Sequence, residues 1–274
     1  MKRMAQSAAR GSLPTFDVDE LMQCMKKLVD VDREWVPDSS NHKSLYIRPT
    51  MIGIEPTLGV ASAKQSLLYI LLSPVGGYFS AGIKPVKLLA NPQHVRAWPG
   101  GCGDKKLGSN YAPTVLIQKE AERQGCQQVL WLFGEDHQLT EVGTMNIFVY
   151  LTNENGEREL ITPPLGDGLI LPGVTRDSVL TLVRERWPEI KLSERRITMS
   201  EVKNANQAQR LHEIFGAGTA CCICPVGKIQ FEGEEIVIPT MTSSPQPLNI
   251  QILNALSDIQ YGRISPHPWA PVVC

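Results

Sequence analysis

NIFVYLTNENGERELIT, residues 146–162, decides the fold. β-branched and aromatic residues fill its first part. Asn-Glu-Asn-Gly is a turn signal, and ERELIT resumes an apolar run, so the stretch reads as a β-hairpin. Upstream, QQVLWLF (127–133) reads as another strand. Between the two lies GEDHQLTEVGTM (134–145), a short segment running into the strongly β stretch. Downstream come helices over 176–187 and 198–210, a second hairpin of TACCICPVGKIQF and EEIVIPT through EGE, and a closing helix over 247–262. Residues 112–124 also read as a helix, with Gly125 just past its end. The first third holds an amphipathic helix over 17–34, capped by Asp17, then strands over 44–55 and 65–76. The glycine- and proline-containing stretch 77–93, with the strand VKLLA inside it, reads as a domain connection. Strands and helices mixed in this way make an α+β chain, with no internal repeat.

Composition narrows the function classes. The chain has 274 residues, 42% of them hydrophobic, and a net charge of −1, which gives nucleic acid or an anionic membrane nothing to hold. SLLYILL (66–72) falls well short of the ~20 residues that span a bilayer. Seven cysteines, an odd number, argue against a disulfide framework, and no secretory signal is present, so a reducing compartment is expected. MKRMAQSAARGSLPTF (1–16) is basic and free of acids, which fits either a mitochondrial presequence or an ordinary basic helix inside a domain.

Four stretches carry candidate chemistry. GDKKLGSNYAPT (103–114) sets two lysines among small residues. It reads either as a solvated loop or as the site of a Schiff-base lysine, with Gly108 and Ser109 admitting a flat cofactor and Tyr111 bonding to it. Glu141 reads either as an exposed loop carboxylate or as the partner of a protonated ring nitrogen. In LPGVTRDSVL (171–180), Val174 and Thr175 follow a Pro-Gly turn into a helix. Free N–H groups there suit a phosphate, although an ordinary helix start looks the same. FGAGTACCICPV (215–226) has no second ligand pair for zinc and looks strand-bound, unlike a disulfide oxidoreductase. Cys221 and Cys224 therefore read as a redox-sensitive pair or as buried apolar cysteines.

Taken together, GDKKLGSNYAPT, QVLWLFGEDHQLTEVGTMNIFVY, LILPGVTRDS and FGAGTACCICPV resemble the eukaryotic branched-chain amino-acid aminotransferases. SLYIRPTMIGIEPTLGV (44–60), LLSPVGGYF (71–79), VRAWPGG (95–101) and DIQYGRI (258–264) extend the resemblance to nearly the whole chain. It implies a two-domain fold-type IV (D-amino-acid aminotransferase-like) architecture and the cofactor pyridoxal 5'-phosphate. The small α/β domain would occupy 1–78, a connection 79–93, and the large cofactor-binding domain 94–274. Lys106 falls where the family's Schiff-base lysine stands, and Lys105 is a bystander. Tyr111 matches the tyrosine on the phenolic oxygen, and Glu141 the carboxylate on the pyridine nitrogen. Arg3, Arg96, Val174, Thr175 and Thr219 match residues at or near the phosphate. Thr144 and Ala220 fall where the substrate carboxylate binds. Tyr46, Arg48 and Tyr78 match residues shaping the side-chain pocket and its rim. Cys221 and Cys224 match a redox switch of animal relatives, and no metal is implied.

The implied reaction is transamination of leucine, isoleucine or valine with 2-oxoglutarate, in a homodimer of the cytoplasm or mitochondrial matrix, not secreted. LTEVGTMN with GTACCICP sets aside D-amino-acid transaminase and aminodeoxychorismate lyase, which share the fold. There are departures. Relatives carry a further segment before the one matching Met1, so the small domain reads as incomplete. Arg3 on an internal helix then displaces the presequence reading. Ala217 replaces a serine, Cys222 adds a third thiol, and GCGDKK is unusual. A truncated, catalytically inactive chain that still binds cofactor or dimerises is the alternative.

Overall fold

The computed structural model describes residues 1–38, 43–76, 83–242 and 244–273. Tyr78 lies outside them. The chain forms two compact units, Met1–Ala81 with Lys105–Leu107 and Ile259–Cys274, and Gly82–Asp104 with Gly108–Asp258.

The first unit begins with α1 (Lys2–Arg10) and α2 (Val18–Val31). Asp17 caps α2 as its sequence asks, its carboxylate accepting from the Asp19 and Glu20 amides at 2.9 Å. Leu21 and Val29 are the residues of α2 that are buried. β1 (Ser44–Gly53) and β2 (Ser66–Val75) pair antiparallel from Ser44↔Val75 to Gly53↔Ser66. Ile47, Ile52, Leu67 and Leu71 of this ribbon are exposed.

The second unit is a strand ring with helices around it. Its strands are β3 (Val86–Ala90), β4 (Gln128–Phe133), β5 (Gln138–Val142), β6 (Met145–Thr152), β7 (Arg158–Thr162), β8 (Lys191–Glu194), β9 (Leu211–Gly218), β10 (Cys222–Phe231) and β11 (Glu234–Val237). α3 (Thr114–Arg123), α4 (Val174–Arg186) and α5 (Met199–Gln207) intervene, and α6 (Leu248–Gln260) follows. The pairings β10–β3–β4–β5–β6–β9–β10 return to their start, so six strands close a barrel. β7 and β8 extend it beside β6, and β11 beside β10. β10 has three neighbours, β11 outside the ring and β9 and β3 within it. Cys222–Pro225 pair with β9, and Val226–Phe231 pair in parallel with β3 across an irregularity at Gly227. Phe148 and Phe215 face each other across β6 and β9, stacked at 5.2 Å and fully buried.

The hairpin of 146–162 and the strand VKLLA stand as expected. β5, β8 and β9 are strands that their sequences did not announce. Glu141 lies on β5 and is only 3% exposed, which removes the reading of an exposed loop carboxylate.

A second buried carboxylate holds α6. Glu213 of β9 accepts from the Leu248 amide at 2.6 Å, the Asn249 amide at 2.8 Å and Asn249 Nδ2 at 2.6 Å. It therefore occupies the orphan donors and positive end of that helix. Burial nevertheless pushes its pKa above the ordinary 4.5. The native state thus binds this proton more tightly than the unfolded chain. The contribution of Glu213 is full below about pH 4.5 and declines as pH rises through the folded value. Glu213→Gln is expected to lose about 2 kcal/mol near pH 5, because one of three buried donors is left unpaired. The difference from wild type should shrink toward higher pH in urea melts. A difference that grows with pH would contradict the assignment.

Candidate functional site

In the second unit, one end of the barrel gathers several of the residues singled out by sequence. Val142 pairs with Met145, so β5 and β6 are joined by the two-residue turn Gly143–Thr144. Gly143 has φ +55°, and a Cβ there would collide with the Gln128 side chain. Gly218 pairs with Cys222, leaving Thr219, Ala220 and Cys221 as the turn between β9 and β10. Cys222, the first residue after that turn, sits in the left-handed region at φ +57°. Asn146 pairs with Ala217 across β6 and β9, so both turns project from the same end. Thr144, Thr219 and Ala220 are exposed there.

Behind the tips sits Glu141. Its Oε1 accepts the Leu171 amide at 2.8 Å. Asn146 Nδ2 lies 3.5 Å from the same oxygen and donates to the Leu171 carbonyl at 2.9 Å. Arg96 lies 3.2 Å from Oε2, and the two side chains are 3% and 4% exposed. The same guanidinium donates to the carbonyls of Leu169 at 2.9 Å and Gly103 at 3.2 Å. Its Nε–H is buried and has no partner among the described residues. Arg96, expected near a phosphate, therefore stands against the candidate ring carboxylate. Asn146, which completes this arrangement, was not singled out by sequence. Its only local signal is that it ends the LTEVGTMN motif.

Leu171 leads into α4 through Pro172 and Gly173. Gly173 is the N-cap and no side chain caps the helix. A Cβ on Gly173 would collide with the Asn146 amide, so glycine lets the helix start close on β6. Val174 and Thr175 form the first turn, where amides have no intrahelical acceptor and carry the helix's positive end. Arg176 turns inward to the Pro163 carbonyl at 2.9 Å and Glu194 at 2.8 Å.

Tyr111 is half-buried and follows Asn110, whose amide closes the preceding loop by donating to the Cys102 carbonyl at 2.6 Å. Cys221, in the β9–β10 turn, and Cys224, on β10, are free thiols. The hydrogen bond between them, then burial, pushes the Cys221 thiol up, and the same bond holds Cys224 down. Cys221 Sγ also lies 3.3 Å from Met145 Sδ.

The first unit holds the lysine. Lys106 has an exposed side chain, and its main-chain N–H donates to Ser7 Oγ on α1 at 2.9 Å. Ser7 Oγ in turn donates to the Arg3 carbonyl at 2.9 Å. Tyr46 and Arg48 share one face of β1. The Arg48 guanidinium donates to the Tyr46 hydroxyl at 3.2 Å and lies 5.0 Å from its ring centroid.

Among the described residues, no group of three or more His, Cys, Asp or Glu side chains is placed to hold a metal ion. No described helix is long and apolar enough to cross a membrane. A hollow of about 610 Å³ lined by Leu211, His212, Ile238 and Met241 contains none of the candidate residues.

Comparison with known proteins agrees in kind. Residues 1–229 match the family described as amino-transferase class IV. The mitochondrial branched-chain-amino-acid aminotransferase of Rattus norvegicus is 55% identical over 270 residues, 98% of this chain and 67% of that protein. The cytosolic branched-chain-amino-acid aminotransferase of Mus musculus is 54% identical over 265 residues, 96% of this chain and 68% of that protein. The solved branched-chain amino acid aminotransferase of Thermobaculum terrenum in its PLP-form shares the fold, with a TM-score of 0.73 at 20% identity over 96% of this chain and 77% of that one. The chain spans about two thirds of the length of the curated relatives it matches. With a family match over most of its length and more than half its residues shared with these enzymes, the chain belongs to the class IV aminotransferases.

Proposed function

We infer that the chain transaminates leucine, isoleucine and valine with 2-oxoglutarate, giving branched-chain 2-oxo acids and glutamate. The observation that carries this reading is the buried Glu141 carboxylate, fixed between Arg96 and the Leu171 amide, in a chain 55% identical to a branched-chain-amino-acid aminotransferase.

The residues fit pyridoxal 5'-phosphate. A buried carboxylate suits a protonated pyridine nitrogen. The orphaned Arg96 Nε–H is a donor still lacking an acceptor, and the uncapped start of α4 suits a phosphate. When bound, the cofactor supplies an electron sink for the charge left as the α-proton departs. Glu141 offers its carboxylate to the ring nitrogen, and Arg96 balances the charge of Glu141. Tyr111 orients the ring through the phenolic oxygen. The Val174 and Thr175 amides, the Thr219 hydroxyl and Arg3 hold the phosphate. Lys106 would hold the cofactor, and its amine would take the proton from the substrate Cα as general base and deliver it to the cofactor's C4′ carbon as general acid. Thr144 and Ala220 receive the substrate carboxylate, and Tyr46 and Arg48 border the aliphatic pocket. One methylene more or less changes transition-state binding by only ~1–3 kcal/mol, so all three branched substrates are accepted. Homodimerisation belongs to the same reading.

The test is the visible absorbance of the purified chain with pyridoxal 5'-phosphate. A band that leucine discharges and 2-oxoglutarate restores, with glutamate released, is the expected result. No band, or a band that aspartate discharges as fast as leucine does, would overturn the reading.

A further inference from the structure

α1 contains a residue that helix stability does not explain. Ser7 sits among Ala5, Ala8 and Ala9, where alanine is the better helix former by roughly 0.5 kcal/mol. It is 5% exposed, so its hydroxyl is not kept for solvent. A hydroxyl has one proton to give and two lone pairs to receive. The Ser7 Oγ proton goes to the Arg3 carbonyl one turn back, at 2.9 Å. That is a common way for a helical serine to satisfy itself. One lone pair receives the Lys106 amide, also at 2.9 Å, from 99 residues further along the chain.

Lys106 needs that acceptor. It lies in a stretch without helix or strand, where no ladder receives its N–H. The main-chain direction at Lys106 sets where the long, flexible side chain starts. We propose that the Ser7 hydroxyl is a positioning residue for Lys106, fixing its backbone on α1 so that the amine is aimed before any cofactor arrives. This rests on the role given to Lys106 above. It joins the backbone of that lysine, through one oxygen, to the backbone of Arg3.

The test compares Ser7→Ala and Ser7→Thr with wild type in two measurements. The first is amide hydrogen exchange in the cofactor-free chain. Ser7→Ala should exchange the Lys106 amide about fivefold faster, the factor for one lost hydrogen bond, while the amides of α1 keep their rates. Ser7→Thr, which keeps the hydroxyl, should restore the wild-type rate. The second is the visible band with pyridoxal 5'-phosphate, followed by leucine turnover. Ser7→Ala should form the band several-fold more slowly and lower kcat with KM for leucine unchanged, and Ser7→Thr should recover both. Unchanged exchange at Lys106 in Ser7→Ala overturns the tether. Faster exchange with an unchanged band and kcat overturns its functional consequence. A wild-type chain that forms no band overturns the role of Lys106 instead, and the exchange measurement still decides whether Ser7 holds its backbone.

Discussion

Lys106→Ala is expected to keep its fold and lose its chemistry. The contact that anchors this residue runs through its main-chain N–H to Ser7, which alanine retains. The side chain itself is exposed, so its removal should change stability by no more than about 0.5 kcal/mol. In the proposed reaction, activity depends on the amine. Losing the proton transfer costs about 10²–10⁴-fold, and losing the covalent attachment of the cofactor adds to that. The visible band should vanish, and leucine should release no 2-oxo acid above background. Lys105→Ala is the control, because it changes a neighbouring charge and leaves the reacting amine in place. A band that survives in Lys106→Ala but not in Lys105→Ala would assign the chemistry to the other lysine.

Glu141→Gln is expected to fail in both respects. The carboxylate and the Arg96 guanidinium are almost completely out of water, at 4% and 3% side-chain exposure. Salt screens such a pair little. Glutamine fills the same space and can still accept the Leu171 amide, but it strands the arginine charge in the interior. Breaking one side of a buried pair in this way typically costs about 3–5 kcal/mol. The urea midpoint of the cofactor-free chain should fall accordingly. Arg96→Met combined with Glu141→Gln should recover much of the loss, because no unbalanced charge then remains. Activity should drop by roughly 10²–10³-fold in the single variant, as expected when a preorganised charge partner of the reacting system is removed. The double variant should regain stability without regaining activity. A Glu141→Gln chain that melts like wild type would mean that Arg96 does not depend on this carboxylate.

These residues were unequally legible in the sequence. Lys106, Tyr111, Glu141 and the helix start at Val174 stood out through motifs. The hairpin of 146–162 stood out through alternation and turn chemistry. Glu141 was found, but its surroundings were not. QLTEV carries three polar residues out of five, so it resembles a loop. In the barrel Thr140 spends its hydroxyl on the Trp131 carbonyl at 2.8 Å, and Glu141 spends its carboxylate on Arg96 and Leu171. β9 was hidden by glycine. LHEIFGAG looks flexible, but Gly216 and Gly218 are small because Met145 packs against them. A Cβ on Gly216 would lie 3.0 Å from Met145 Cε, and one on Gly218 would lie 2.8 Å from Met145 Cγ. Ser7 left no local trace, since its partner is remote in the chain. Backbone pairings of that kind follow the fold and not the motif.

Barrel closure also sets a schedule for the emerging chain. During synthesis from the N-terminus, β3 to β6 leave the ribosome first and can pair in order. β3 then presents one open edge, and β6 another. Their partners on those edges are β10 and β9, a hairpin made last among the ring strands. Until residues 211–231 emerge, the ring stays open at both ends, with its apolar strands available to any neighbouring chain. The turn at 219–221, where the proposed function places Thr219 and Ala220 against the ligand, is therefore also the clasp of the barrel. A nascent chain thus closes its ring and forms the 219–221 turn in the same step, before β11 and α6 are added.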